Sequence, residues 1–203
     1  MRIVISGNIG SGKTTQMSVL KELLKTYDNM ELITEAVDEW LQEGWLQNFY
    51  QNPEKWSFSF QLRVLLSQIQ VPKEDKEKIL IIERSPQTTQ MIFGQQLYED
   101  GHIHIMEHEL LNRYAFEMGW IPDIFIYIKT EPEVCHQRVK ERSRETENLI
   151  PLEYLKKLHD KHESLHQSTA KYTYFVDGNR DKDDVTRDII LILEKIHEKS
   201  KKS

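Results

Sequence analysis

Nine consecutive residues near the start of the chain have the types and spacing to hold a polyphosphate. In IVISGNIGSGKTTQ, residues 3–16, Gly7, Gly12, Lys13 and Thr14 satisfy the pattern G-x-x-x-x-G-K-[ST], and Gly10 adds a third glycine. Glycines let successive backbone N–H groups turn inward without a Cβ in the way. The run Gly7, Asn8, Ile9, Gly10, Ser11, Gly12, Lys13, Thr14 and Thr15 is therefore the candidate phosphate loop. Lys13 would reach the β- and γ-phosphates as a point charge, and the Thr14 hydroxyl would ligate Mg²⁺. A helix starting near Gly12 adds the positive end of its dipole. A glycine-rich turn can match this pattern by chance. The confirming context is a strand before it and a helix after it, and RIVIS (Arg2–Ser6) and Thr15–Tyr27 read that way.

Further candidates follow other apolar runs. Glu35 comes after the second, in ELITEAVDEW, and Glu83, Arg84 and Ser85 come after the third, in ILIIERSPQ. A third-strand carboxylate beside a phosphate loop is placed to hold Mg²⁺, and a second-strand carboxylate to accept a proton from a substrate hydroxyl. Glutamates at strand ends also serve as solvated loop charges or helix caps; their gathering on one rim favours chemistry. In HQRVKERSRETENLIPLEY, residues 136–154, Arg138, Lys140, Arg142 and Arg144 end one helix before Pro151 opens the next. They suit a lid of about residues 138–149 that clamps phosphate, or else a salt-bridged helix end. In FYQNPEKWSFSFQLRVLLSQ, residues 49–68, the aromatics at helical spacing read as core, Trp56 among them. Phe60 and Gln61 could still supply a stacking ring and a two-way amide for a planar base.

These residues need a scaffold that brings strand ends together. Strands are expected at Arg2–Ser6, Glu31–Thr34, Ile79–Ile82, Asp123–Lys129 and Tyr172–Val176, near-continuously apolar as buried parallel strands are. Helices are expected at about 13–27, 37–50, 53–70, 86–100, 105–118, 132–141, 152–169 and 181–198, with Val71–Lys78 a charged connector. This alternation implies an α/β fold, a doubly wound five-stranded parallel sheet with helices on both faces and ligands at the carboxyl ends of the strands. At 203 residues the chain suits one domain, 1–203. The net charge of −6 is mixed along the chain, so neither a nucleic-acid nor a membrane partner is expected. A lone Cys135 excludes an internal disulfide and reads as a buried or inert thiol. The longest apolar run, Ile124–Ile128, is too short to span a bilayer, and the chain opens directly into a strand. A cytoplasmic protein with a solvated KSKKS tail is the expectation.

Taken together, these segments resemble the deoxynucleoside kinase family. The resemblance covers nearly the whole chain and rests on GNIGSGKTT, the E-x-V-x-x-W of EAVDEW, NPEKWSFSFQ, ERS, PDIFIYIKTEPEVCHQRV, R-S-R-E-x-E and IPLEYLKKLHDKHESL. It implies phosphoryl transfer from ATP, with Mg²⁺, to the 5′-hydroxyl of a deoxynucleoside, by a homodimer. Carried over, Glu35 is the general base and Arg84 orients it. Glu83 binds Mg²⁺ with Thr14, and Tyr50 and Glu147 hold the sugar 3′-hydroxyl. Gln61 pairs with the base, and Phe60, Trp40, Val64 and Phe93 line its pocket. Arg138, Arg142 and Arg144 meet the phosphates, and the turn Asp177–Arg180, with Asn179, frames the donor's base. Where cytosine- and purine-selective relatives carry an arginine and an aspartate, this chain has Gln68 and Thr89, which implies a lean to thymidine and other pyrimidines. The chain departs from the family at Ala36, where a proline is usual, at Thr146, and in a shorter, His-rich 95–115 region whose His102, His104 and His108 read as surface residues. The alternatives are a thymidylate-like monophosphate kinase, needing an extra cationic site for the acceptor phosphate with only Arg63 and Arg84 on offer, and a silent nucleotide-binding subunit.

Overall fold

The computed structural model describes residues 1–71, 78–142 and 150–200. Five apolar segments become strands: β1 (Arg2–Ser6), β2 (Met30–Ile33), β3 (Ile79–Glu83), β4 (Ile124–Lys129) and β5 (Thr173–Asp177). They form one sheet in the order β2-β3-β1-β4-β5, and every pairing is parallel. β1 illustrates the double-sided burial. Ile3 and Ile5 join a core with Met17, Leu20, Ile189 and Leu193, while Val4 packs on the other side with Leu80, Ile82 and Phe125. The first core is closed by α1 (Lys13–Leu23) and α10 (Lys182–Ser200). The expectation of near-continuous burial holds for β1 and β3 but not for the edge strands. β2 is half-buried throughout and Phe175 of β5 is exposed, because each edge strand has a neighbour on one side only.

Register carries the strand ends to one rim. Ile33 lies opposite Ile82, Ile5 opposite Glu83 and Ser6 opposite Tyr127, so the residues after β1, β2 and β3 emerge side by side. Two of the expected helices are broken. The 37–50 segment divides into α2 (Val37–Gln42) and α3 (Trp45–Gln51) at Gly44, whose φ of 78° lies in the left-handed region. The 86–100 segment runs as α5 (Pro86–Thr88), a π-helical stretch Thr89–Gly94 and α6 (Gln95–Glu99). The remaining helices are α4 (Pro53–Ile69), α7 (Ile105–Met118), α8 (Pro132–Arg142) and α9 (Leu152–Ser168). His108 corrects the surface reading of the histidines: it is buried and stacked on Tyr98, with ring centroids 4.5 Å apart. His104 is exposed and caps α7. No described helix is long and apolar enough to cross a membrane.

Candidate active site

Between the strand ends and α2–α4 lies a cavity of about 340 Å³. The phosphate-loop segment sits at one end, leading from β1 into α1. Gly12 caps α1 with φ 98°, and a Cβ on Gly10 would stand 2.5 Å from the Cys135 carbonyl oxygen, so the motif's glycines meet a geometric need. Lys13 is buried, and its Nζ donates to the carbonyls of Gly7 at 2.9 Å and Asn8 at 2.8 Å. Burial, and then the charge of Arg84, pull the Lys13 ammonium down to about 8, against the opposing pull of Glu83 and Glu35. The Thr14 hydroxyl donates to Glu83 Oε1 at 2.9 Å, which sets two hard oxygen ligands side by side. Ile9, Gly10, Gly12, Lys13, Thr14 and Thr15 line the cavity, whereas Gly7, Asn8 and Ser11 do not.

Arg84 follows β3 with φ 65°, the only non-glycine positive φ among the described residues, a strain of order 1–3 kcal/mol that clusters at functional sites. That turn aims its guanidinium over the Phe93 ring, 4.2 Å from the centroid, and sets Nε 3.4 Å from Glu35 Oε1. Ser85 takes no part in the cavity: it caps α5 through a reciprocal pair of bonds with Thr88.

Aromatic packing builds the other end. Phe60 meets Trp40 edge-on at 5.7 Å and Phe49 at 5.0 Å. Gln61, Val64, Tyr50, Thr89 and Phe93 complete the wall. The Gln61 Oε1 and Trp40 Nε1 are buried without a hydrogen-bond partner among the described residues. Gln68 does not line the cavity. Its Nε2 donates to Thr89 Oγ1 at 2.8 Å, and its backbone carbonyl accepts from the Trp120 indole.

Of the arginines expected to form a lid, Arg138 and Arg142 face the cavity, and Arg138 Nη1 donates to the Gly178 carbonyl at 2.9 Å. Arg144 and Glu147 lie outside the described residues, as does the lid beyond Arg142. Asp177, Asn179 and Arg180 are not among the lining residues. Asn179 accepts the Glu131 N–H and Arg180 pairs with Asp188. Leu46, Phe49 and Tyr154 line the cavity as well. Leu46 and Phe49 sit one turn apart, a spacing that signals a shared face but not what it faces. Burial raises the Tyr154 hydroxyl well above its ordinary value. Cys135 is wholly buried, with its thiol pushed up to about 11, as an inert structural thiol should be.

A parallel sheet with β1 leading through a glycine loop into α1 defines a P-loop kinase fold. Across the chain, residues 3–199 match the family model "Deoxynucleoside kinase". The chain is 34% identical over 202 residues to human deoxycytidine kinase, covering 82% of this chain and 76% of that one. A Fowlpox virus protein described as "Probable deoxycytidine kinase" is 32% identical over 170 residues, covering 80% and 70%. Human mitochondrial thymidine kinase 2 is 31% identical over 172 residues, covering 79% and 62%. The solved structure of deoxyadenosine kinase from M. mycoides, with products dCMP and a flexible dCDP bound, superimposes with a TM-score of 0.81 over 97% of this chain and all of that one; at 23% identity it speaks for the fold alone. The chain belongs to the deoxynucleoside kinase family.

Proposed function

We propose that this chain transfers the γ-phosphoryl group of ATP to the 5′-hydroxyl of a deoxynucleoside, with Glu35 as base. The observation that carries the reading is the Arg84–Glu35 pair, at 3.4 Å, in the same cavity as Lys13 and Thr14. Glu35 accepts the 5′-hydroxyl proton as the oxygen attacks phosphorus and the bond to the β–γ bridging oxygen breaks. Arg84 orients the carboxylate, and its own place is secured by Phe93. Lys13, Arg138, Arg142 and Arg144 hold the phosphates. Thr14 and Glu83 offer adjacent hydroxyl and carboxylate oxygens, a donor set that fits Mg²⁺, whose chemistry when bound is neutralisation of phosphate charge. Tyr50 and Glu147 take the 3′-hydroxyl, and the 177–180 turn flanks the donor's base. The chain acts as one kinase domain with a lid of about residues 138–149.

At the base end, Gln61 presents a carbonyl oxygen with no partner among the described residues, suited to the thymine N3–H or the cytosine amino group. Gln68 and Thr89 bond to each other and are uncharged, which supports a pyrimidine, thymidine first, over a purine. Of the two arginines a monophosphate acceptor could use, Arg63 is held by Glu39 and Glu43 and Arg84 is paired with Glu35, which speaks against the thymidylate-like alternative. The exposed Met106, Leu110 and Phe116 of α7 support a homodimer, and a lone thiol suits the cytoplasm. The test is ADP release by the pure chain with each of the four deoxynucleosides and with thymidine monophosphate. No turnover with any deoxynucleoside would leave a silent nucleotide-binding subunit; faster turnover with the monophosphate would favour the other kinase.

A further inference from the structure

The side chain of Asn8 does not face the cavity, although it sits within the phosphate loop. It is 1% exposed; Nδ2 donates to the Leu155 carbonyl at 2.8 Å, and Oδ1 accepts the N–H of Ile9 at 2.8 Å. One amide thus grips the loop backbone on one side and the first turn of α9 on the other. Leu155 is wholly buried in a cluster with Cys135, Val139 and Ile150, so the carbonyl it offers belongs to a part of the helix packed in place. A second tie lies just before the loop. Ser6 Oγ and His166 Nε2 are 2.8 Å apart, both at 0% exposure, and the His166 ring stacks on Tyr127 with centroids 4.3 Å apart.

The consequence reaches Lys13. Its ammonium rests on the carbonyl oxygens of Gly7 and Asn8, so whatever fixes residues 7 and 8 fixes that charge. Glycines at 7, 10 and 12 give the loop little stiffness of its own. The phosphate-loop pattern asks for no particular side chain at position 8. We infer that Asn8 is a positioning residue for phosphoryl transfer: its amide fastens the phosphate loop to α9 and so sets where Lys13 stands. This rests on the reading of the loop as the donor-phosphate site.

The test compares Asn8→Ala, Asn8→Asp and His166→Phe in the full chain, varying ATP and deoxynucleoside separately and recording Tm. Asn8→Ala removes both bonds. Asn8→Asp keeps the acceptor for Ile9 but sets an oxygen against the Leu155 carbonyl. The expected result is a donor KM raised about tenfold in Asn8→Ala, with Asp no better and deoxynucleoside KM within about twofold of wild type. His166→Phe keeps a ring for stacking but loses the Ser6 bond, and it should move the donor KM the same way by a smaller factor. An unchanged donor KM in Asn8→Ala, or wild-type kinetics in Asn8→Asp, overturns the inference. So does a parallel rise in both KM values with a lowered Tm, the mark of a merely structural side chain. If Asn8→Ala does not fold, Asn8→Asp and His166→Phe carry the same comparison. A wild-type chain that turns over no ATP overturns the reading of the loop and this inference with it; wild-type turnover with an indifferent Asn8 overturns the inference alone.

Discussion

At the phosphate end of the cavity, Lys13 is held by the Gly7 and Asn8 carbonyls and Thr14 by Glu83, whereas at the base end Gln61 Oε1 and Trp40 Nε1 are buried without partners among the described residues. The first end is assembled before any ligand arrives, from backbone geometry and charge. The second is assembled from aromatic packing, and it leaves polar atoms whose desolvation a matching base would offset. A prebuilt charged end suits the donor's triphosphate, which stays the same whichever deoxynucleoside is the acceptor. A neutral, half-satisfied end suits the part that varies. Binding strength and reaction rate should therefore respond to changes at one end, and substrate choice to changes at the other.

The sharpest break of that division is at the seam between the ends, where Glu35 meets Arg84. Glu35→Gln keeps an acceptor for Arg84 but cannot take a proton, so kcat should fall by about 10²–10⁴ with deoxynucleoside affinity nearly unchanged. A fall of less than about fivefold on the chemical step removes Glu35 as the base. Next in size, on the proposed reading, Arg142→Ala and Arg144→Ala would each delete a charge-assisted contact to the transferring phosphates. Each should cost about 10² in kcat while leaving deoxynucleoside affinity alone. Wild-type turnover in either variant reduces that arginine to a surface charge.

Both ends were legible in the sequence to different depths, for a physical reason. The phosphate loop is local: one run of nine residues carries the glycines, the lysine and the hydroxyl, and β1 has the bounds that its apolar run implies. Glu35, Glu83 and Arg84 were legible through the rule that ligands meet strand ends. The base end is gathered from segments far apart, and periodicity cannot say that Leu46, Phe49 and Tyr154 converge. Nor does an apolar helical pattern distinguish an α-helix from the π-helical stretch at Thr89–Gly94, since the same residues stay buried through the wider turn. The break at Gly44 was visible as a residue type but not as a positive φ. Asn8 was legible as a loop member, while the direction of its side chain depends on α9, distant in sequence.

Base choice sharpens the comparison at its neutral end. Thymidine or deoxyuridine should show the highest kcat/KM, deoxycytidine the next and purines the lowest, with steps of about 1–3 kcal/mol, since the Gln61 amide can serve either pyrimidine by turning over. A deoxyguanosine or deoxyadenosine value above that for thymidine would sink this ranking and leave the kinase reading standing.

The smallest effect expected is on pH dependence, and it separates the two ends without a mutation. Lys13 is held at about 8 by burial and by Arg84, with Glu83 and Glu35 opposing, and in its proposed role it would serve phosphate only as the ammonium. The ammonium loses its proton as pH rises through about 8, so kcat/KM for ATP, which reports the free enzyme, should be about half-maximal there and fall about a further fivefold over the next unit. Turnover at saturating ATP reports the complex, where bound phosphate charge favours the ammonium, and should hold to higher pH. On the proposed reading the cytosine ring meets uncharged groups, Gln61, Phe60 and Trp40, and Lys13 does not touch the nucleoside, so deoxycytidine affinity should stay flat as Lys13 titrates. An ATP kcat/KM that is level from about pH 7 to 10 would mean that Lys13 keeps its proton throughout, and the phosphate end would then be less tightly enclosed than its buried ammonium implies.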